Sequence, residues 1–225
     1  MKKANKKTNA AIIIIGNEIL SGRTQDVNVV SISKWLNKLG VKVEEVRAIP
    51  DLEDSIVKTI NDVRKKFKYI FTTGGIGPTH DDITSKSIAK AFKLSYEYHK
   101  EAYKILEKHY GAEKFNEGRK KMAKLPAKAL LINNPSSTAP GFLVDNVYCL
   151  PGVPSILKSM LGELNSKIVG GKKILSKNIN LKTVESEIAL PLGKIQKKFN
   201  NTEIGSYPFI KQDKVGVSIV IRSTE

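Results

Sequence analysis

The segment Gly74-Gly75-Ile76-Gly77-Pro78-Thr79-His80-Asp81-Asp82 brings three glycines, a threonine and two adjacent carboxylates into one short stretch. Glycines let the chain turn sharply and offer bare N–H groups to an anion. A helix starting directly behind such a turn adds unpaired donors and a partial positive charge. Gly74, Gly75, Gly77 and Thr79 are therefore candidate phosphate ligands. Two carboxylates beside a phosphate repel it unless a divalent cation lies between them; magnesium-type ions use one or two carboxylates and fill their shell with water and phosphate oxygens. Asp81 and Asp82 are accordingly the candidate metal ligands and catalytic residues of a metal-assisted phosphate or pyrophosphate site. The competing reading is a helix N-cap, with Thr79 or Asp81 capping and Asp82 favouring the dipole. Capping alone does not need three glycines.

Strands and helices must position this loop. Tyr69 to Thr72 reads as a strand running into it, and Ile83 to Phe92 as a helix behind it. Upstream, Ala10–Ile15 and Val41–Arg47 read as strands; the first is apolar without alternation, as in a strand covered on both faces. Val29, Ile32, Leu36 and Leu39 share one helical face, as do Leu52, Ile56, Ile60, Val63 and Phe67, and Gly40 stands where a helix C′ glycine belongs. The alternation of strand and helix predicts an α/β fold: a three-layer, mostly parallel sheet with helices on both faces. Further helices are predicted at His99–Tyr110, Asn116–Lys124 and Ser155–Leu164, and short strands at Lys128–Ile132 and Val147–Leu150. In open sheets of this kind ligands bind beyond the carboxyl ends of strands. The loops after Ile15, Thr73 and Leu150 all follow strands and can converge on one site.

On that convergence Glu18 either completes the metal shell and orients water, as a third catalytic and metal candidate, or bonds backbone N–H groups of its own loop. Asn28 is a nucleotide-side candidate, although Asp26 and Asn28 also suit the cap of the following helix. Thr84 donates to phosphate or caps. His80 has a free pKa near neutrality and takes at most a supporting part, or is simply a surface residue. Pro151-Gly152-Val153-Pro154 suits a pocket wall, with Gly152 facing the ligand.

The 225 residues, 40% of them hydrophobic, suffice for one large domain with a small appendage. A single cysteine, Cys149, lies in an apolar run; it excludes an internal disulfide and fits a buried structural thiol in a reducing cytoplasm. Lys2, Lys3, Lys6 and Lys7 precede Ala10–Ile15 in the order of a secretory signal, yet that apolar run is too short for a signal core or a membrane span. Residues 1–9 read as a disordered basic tail, and no membrane association is expected. The net charge of +16 is spread over scattered clusters such as Arg64-Lys65-Lys66 and Lys197-Lys198, which fits a lysine-rich surface better than a specific nucleic-acid face. Around Gly170-Gly171 the pattern changes to strand (Lys177–Leu181), helix (Ser186–Phe199), strand (Thr202–Ser206) and an alternating strand over 215–221. Residues 10–170 are thus the expected α/β domain and 171–225 a small α+β subdomain. There Tyr207 is a core aromatic or a platform for a base.

With these motifs in place the chain resembles the molybdopterin-binding-like domain family, and within it the N-terminal domain of the CinA-type competence proteins and the matching domain of FAD synthases. The resemblance runs through Gly16-Asn17-Glu18-Ile19-Leu20-Ser21-Gly22, Asp26-Val27-Asn28, Gly74 to Thr84, Lys121-Met122-Ala123-Lys124-Leu125-Pro126, Asn133 to Phe142, Leu150 to Pro154 and Gly205-Ser206-Tyr207-Pro208. It implies hydrolysis of the pyrophosphate bond of nucleotides such as ADP-ribose or FAD, with a divalent metal (Mg, Mn or Co) as cofactor. The related molybdenum-cofactor proteins imply an alternative: binding or adenylylation of molybdopterin. A nucleotide or pterin is thus the expected small-molecule partner, and a homo-oligomer, dimer or trimer, the expected assembly. A non-catalytic or nucleic-acid-binding module is the remaining alternative. Ser137 stands where the CinA-like pattern has glycine, which supplies a hydroxyl for phosphate and removes a flexible residue. The adenylyltransferase relatives place an arginine before the loop aspartate, where His80 stands here; this favours nucleotide hydrolysis. The deamidase domain of full-length CinA and the FAD-forming domain of FAD synthases are not among these residues, so neither activity is expected.

Overall fold

The computed structural model describes residues 8–211 and 214–224. Most of the expected basic tail lies outside the described residues, and Asn9, assigned to it, opens the first strand instead. The described chain separates into two compact units, one ending at Gly170 and the other beginning at Gly171.

The first unit starts with β1 (Asn9–Ile15), α1 (Asn17–Leu20), α2 (Asn28–Lys38), β2 (Lys42–Ile49), α3 (Glu53–Val63), β3 (Tyr69–Thr73) and α4 (Thr84–Ala91). It continues with β4 (Tyr96–Tyr98), α5 (Lys100–Tyr110), α6 (Glu117–Lys121), β5 (Lys124–Pro126), β6 (Leu130–Ile132), β7 (Gly141–Val144), β8 (Val147–Leu150) and α7 (Pro154–Glu163). Six strands form one sheet in the order β2-β1-β3-β8-β7-β6. Neighbours are parallel from β2 to β8 and antiparallel at β7 and β6. The short β4 and β5 pair separately.

The two faces of β1 explain its unbroken apolar run. Ala11, Ile13 and Ile15 face one core with Ile56, Ile60 and Val63 of α3 and Ile88 of α4. Ala10 and Ile12 face the other, with Ile32 and Leu36 of α2 and Leu157 and Met160 of α7. Each fully buried isoleucine stabilises the fold by roughly 1.5–3 kcal/mol, so this strand anchors both layers. Gly40 takes a left-handed φ of 71° directly after α2, as its C′ position demands. His99 and Asn116 cap α5 and α6, their side chains accepting from Ala102 N and Arg119 N. After α7 the Tyr69 hydroxyl accepts from Val169 N and donates to Val169 O, both at 3.0 Å, which ties the end of this unit to the central sheet.

Several elements differ from expectation: the helix expected over Asn116–Lys124 is only Glu117–Lys121, Lys124 opens β5, and α1 is not among the expected elements. The helix behind the glycine loop starts at Thr84 rather than Ile83, and no side chain caps it. The strands β4, β5 and β7 are not announced by the sequence because three or four residues show too little alternation. The strand expected from Lys128 is confined to Leu130–Ile132, after a left-handed Lys128.

The second unit contains β9 (Leu175–Leu181), α8 (Glu185–Lys198), β10 (Thr202–Lys211) and β11 (Lys214–Ser223). Its strands are antiparallel in the order β10-β11-β9. Among the described residues its buried apolar side chains are Val217 and Ile219. Tyr207 is half exposed, so it is not the core aromatic that one reading expected.

Candidate functional site

From β1 the chain passes to β2 on one side of β1 and then to β3 on the other. Connections that leave adjacent parallel strands in opposite directions open a crevice at their carboxyl ends, here at Ile15 and Gly74. Gly74 has φ 101°, and its N–H donates to Leu150 O at 3.1 Å, so the loop is fastened to the end of β8. A Cβ on Gly74 would stand 2.2 Å from Ile15 O. Gly75 has φ 68°, and its Cβ would stand 2.2 Å from Thr84 Oγ1. Left-handed φ and occupied space both require glycine at these two positions. Thr84 is fully buried and holds the loop to α4: its N–H donates to Gly75 O and its hydroxyl to Gly74 O. It is therefore a tether, neither phosphate donor nor cap. The N–H groups of Gly75, Ile76 and Gly77 meet no acceptor among the described residues and are available to a ligand.

The crevice is a cavity of about 520 Å³. One wall is the stretch from Gly74 to Thr79 with Asp81 and Asp82; the loop after β6 contributes Asn134, Ser137, Ala139 and Pro140; Pro151, Gly152 and Val153 border it, with Ile15, Glu18 and Asp51 at the strand ends. The predicted residues Glu18, Gly74, Gly75, Gly77, Thr79, Asp81, Asp82, Ser137 and Gly152 thus border one space. His80 is exposed and outside that lining.

Thr79 organises the carboxylates. Its N–H donates to Asp82 Oδ2 at 2.8 Å, and its hydroxyl oxygen lies 2.6 Å from Asp81 Oδ1 and 2.5 Å from Asp82 Oδ2. The hydroxyl hydrogen bond holds the Asp81 carboxyl below the usual carboxylate range, helped by its own backbone N–H and by the charges of His80 and Lys121. Lys121 Nζ donates to Thr79 O and clamps the turn from outside. Neither aspartate caps α4, so the capping alternative does not describe them.

One hydroxyl proton serves one carboxylate, so the second oxygen pair is brought together without a proton between them. A positive charge beside Asp81 and Asp82 relieves that crowding, and an all-oxygen donor set of two carboxylates and a hydroxyl has the hardness that Mg²⁺-type ions select. The residues fit a hydrated divalent cation. Among the described residues no group of three or more His, Cys, Asp or Glu side chains converges closely enough to hold a metal ion, so Glu18 borders the cavity without joining the aspartates. Its carboxylate folds back over its own loop instead: a Cβ on Gly16 would stand 2.5 Å from Glu18 Oε1.

Asp26 and Asn28 divide the roles foreseen for them. Asp26 Oδ1 accepts from Val29 N at 2.9 Å in the first turn of α2, from one residue before its N-cap, Val27. One N–H of Asn28 Nδ2 donates to Gly152 O at 2.7 Å, and Oδ1 is buried without a partner among the described residues. Asn28 is thus a strut between α2 and the loop after β8, and it lines a small side cavity of about 70 Å³ rather than the main one. Ser137 does not occupy a strained position, because the left-handed residue of its loop is Thr138, with φ 67°.

Sequence reasoning missed Asp51, Lys121 and Asn134. Asp51 Oδ2 accepts from Asn17 N at 2.8 Å and so holds α1 at the cavity edge. Its signal was present, since Pro50-Asp51 follows the carboxyl end of β2 just as the other loops follow their strands. Lys121 acts through a contact 42 positions away that no local pattern announces, and Asn134 through local bonds whose pattern depends on the conformation of its turn.

No helix among the described residues is long and apolar enough to cross a membrane. Residues 11–170 match the family described as "Probable molybdopterin binding domain". Residues 173–225 match "FAD synthase, middle domain". The chain is 32% identical to a protein of Archaeoglobus fulgidus over 197 residues, covering 88% of this chain and 84% of that one. It is 36% identical to a protein of Pyrobaculum calidifontis over 157 residues, 67% of this chain and 60% of that relative, and so spans less than two thirds of the latter. The crystal structure of CinA, a protein of unknown function from Thermoplasma acidophilum, superposes with a TM-score of 0.67 at 32% identity, covering 71% of this chain and 97% of that one. Through its larger unit, with the cavity at the switch between β1 and β3, the chain belongs to the molybdopterin-binding domain family and is CinA-like within it.

Proposed function

We propose that the protein hydrolyses the pyrophosphate bond of a nucleotide such as ADP-ribose or FAD, with a divalent metal as cofactor. The observation that carries this reading is that free loop N–H groups and a carboxylate pair border one cavity. Gly75, Ile76 and Gly77 N–H groups are suited to bind phosphoryl oxygens, and they require no reorganisation because Thr84 and Leu150 already fix the loop. Asp81 and Asp82 would hold Mg²⁺, Mn²⁺ or Co²⁺, which when bound supplies charge neutralisation at the phosphoryl oxygens and activation of water. Thr79 fixes the orientation of both carboxylates, and Lys121 places a positive charge behind them. The cavity is large enough for a diphosphate with part of a nucleoside.

Turnover of ADP-ribose by wild type and by Asp82→Ala tests the reading. Loss of about 10²-fold or more in kcat with unchanged thermal stability supports it; equal turnover in the variant removes the site from the chemistry. The family description favours a second reading, a pterin ligand held by the same loop. Tight molybdopterin binding without cleavage of any dinucleotide would select it.

A further inference from the structure

Asn134 is 5% exposed, and every hydrogen-bonding position of its amide is filled. Oδ1 accepts from Ser136 N and Ser137 N, both at 3.1 Å, while Nδ2 donates to Ser137 Oγ at 2.8 Å and to Ala139 O at 2.7 Å. This pattern fixes which amide atom faces which partner: two backbone donors must meet Oδ1, and a carbonyl must meet Nδ2. The loop it braces is strained. Ala139 N donates to Ser137 O at 2.8 Å around Thr138, whose φ of 67° makes a γ-turn of the rare left-handed kind at a β-branched residue. Such conformations persist where the surroundings over-determine them, which is a common arrangement beside ligands. Asn134 supplies much of that determination, its own carbonyl accepting from Thr138 N.

The arrangement sets the polarity of Ser137. Its hydroxyl already accepts from Asn134, which as a donor at that contact cannot take the Ser137 proton. That proton meets no acceptor among the described residues, and Ser137 borders the same cavity as the glycine loop. We propose that Asn134 is a positioning residue that makes Ser137 a hydrogen-bond donor to a second phosphoryl group, so that the cavity prefers a diphosphate to a monophosphate. The inference rests on the reading that the Gly74–Gly77 loop holds the first phosphoryl group.

Calorimetric binding of inorganic pyrophosphate and of orthophosphate, both in Mg²⁺, tests it in wild type, Ser137→Ala, Asn134→Asp and the double variant. Wild type binds pyrophosphate more tightly than orthophosphate. Ser137→Ala lowers pyrophosphate affinity about tenfold, the size of one hydrogen bond to a charged acceptor, and leaves orthophosphate affinity unchanged. In the Asn134→Asp background the aspartate takes the Ser137 proton, and Ser137→Ala then costs nothing further; a merely structural asparagine would leave the tenfold loss in place. The inference is overturned by a wild type without preference for pyrophosphate, by Ser137→Ala leaving pyrophosphate affinity unchanged or weakening both anions equally, or by the loss persisting beside Asn134→Asp. Release of AMP from ADP-ribose scores hydrolysis separately, so either idea can fail alone.

Discussion

The Cα of Gly74 approaches the carbonyl oxygen of Ile15 so closely that a Cβ there would lie 2.2 Å from it. This contact joins the carboxyl ends of β1 and β3, the strands between which the topology switches. Packed against Ile15 on one side and bonded to Leu150 O on the other, the loop is held by the sheet where its residues border the cavity.

Gly74→Ala imposes a left-handed φ on a residue with Cβ and drives that atom into backbone. We expect a loss of about 2–4 kcal/mol in unfolding free energy, read by urea denaturation. A loss below 0.5 kcal/mol would show that the loop can move away from Ile15.

The Thr79 hydroxyl is the main cause of the lowered pKa of Asp81. A carboxyl depressed in the folded state contributes stability that is present above its unfolded value, near 3.9, and is lost as pH falls through the lower folded value. Thr79→Val therefore moves the Asp81 titration upward and shortens the acid range over which the protein keeps this contribution. Carboxyl ¹³C NMR titration of wild type and variant checks the direction, and an unmoved midpoint contradicts the assigned hydrogen bond.

Much of this was legible in the sequence because it depends on local chemistry. The doubly covered β1 followed from four consecutive isoleucines, the face of α2 from Ile32 and Leu36, and the glycine loop from its composition between a strand and a helix. Other features were illegible for equally physical reasons. Whether Asn28 presents a donor to ligand or to Gly152 is decided by a partner 124 positions away. The behaviour of Ser137 depends on the orientation of the Asn134 amide, which residue identity does not specify. The separation of Glu18 from the aspartates follows from a fold of its loop over Gly16, invisible to a motif.

Cys149 is fully buried in β8, and burial pushes its thiol pKa up to about 12. At pH 8 the native protein should therefore leave this thiol unlabelled by Ellman's reagent over minutes, and unfolding in guanidinium should release one equivalent. Rapid labelling of the native protein would contradict the burial of β8.

Asn28→Ala removes the donor to Gly152 O and also the unpartnered Oδ1, so the two effects partly offset. An unfolding penalty of about 1–2 kcal/mol is expected, with a raised KM from loosening of the loop after β8. Retained stability with a large fall in phosphate affinity would instead return Asn28 to direct ligand contact.

The most direct test of the central claim is AMP release from a panel of ADP-ribose, FAD, NAD and ATP by metal-stripped protein to which Mg²⁺, Mn²⁺ or Co²⁺ is restored. Metal-dependent cleavage of at least one of these nucleotides, abolished by Asp82→Ala, is the expected result. Silence across the panel from folded protein with each metal present would contradict it.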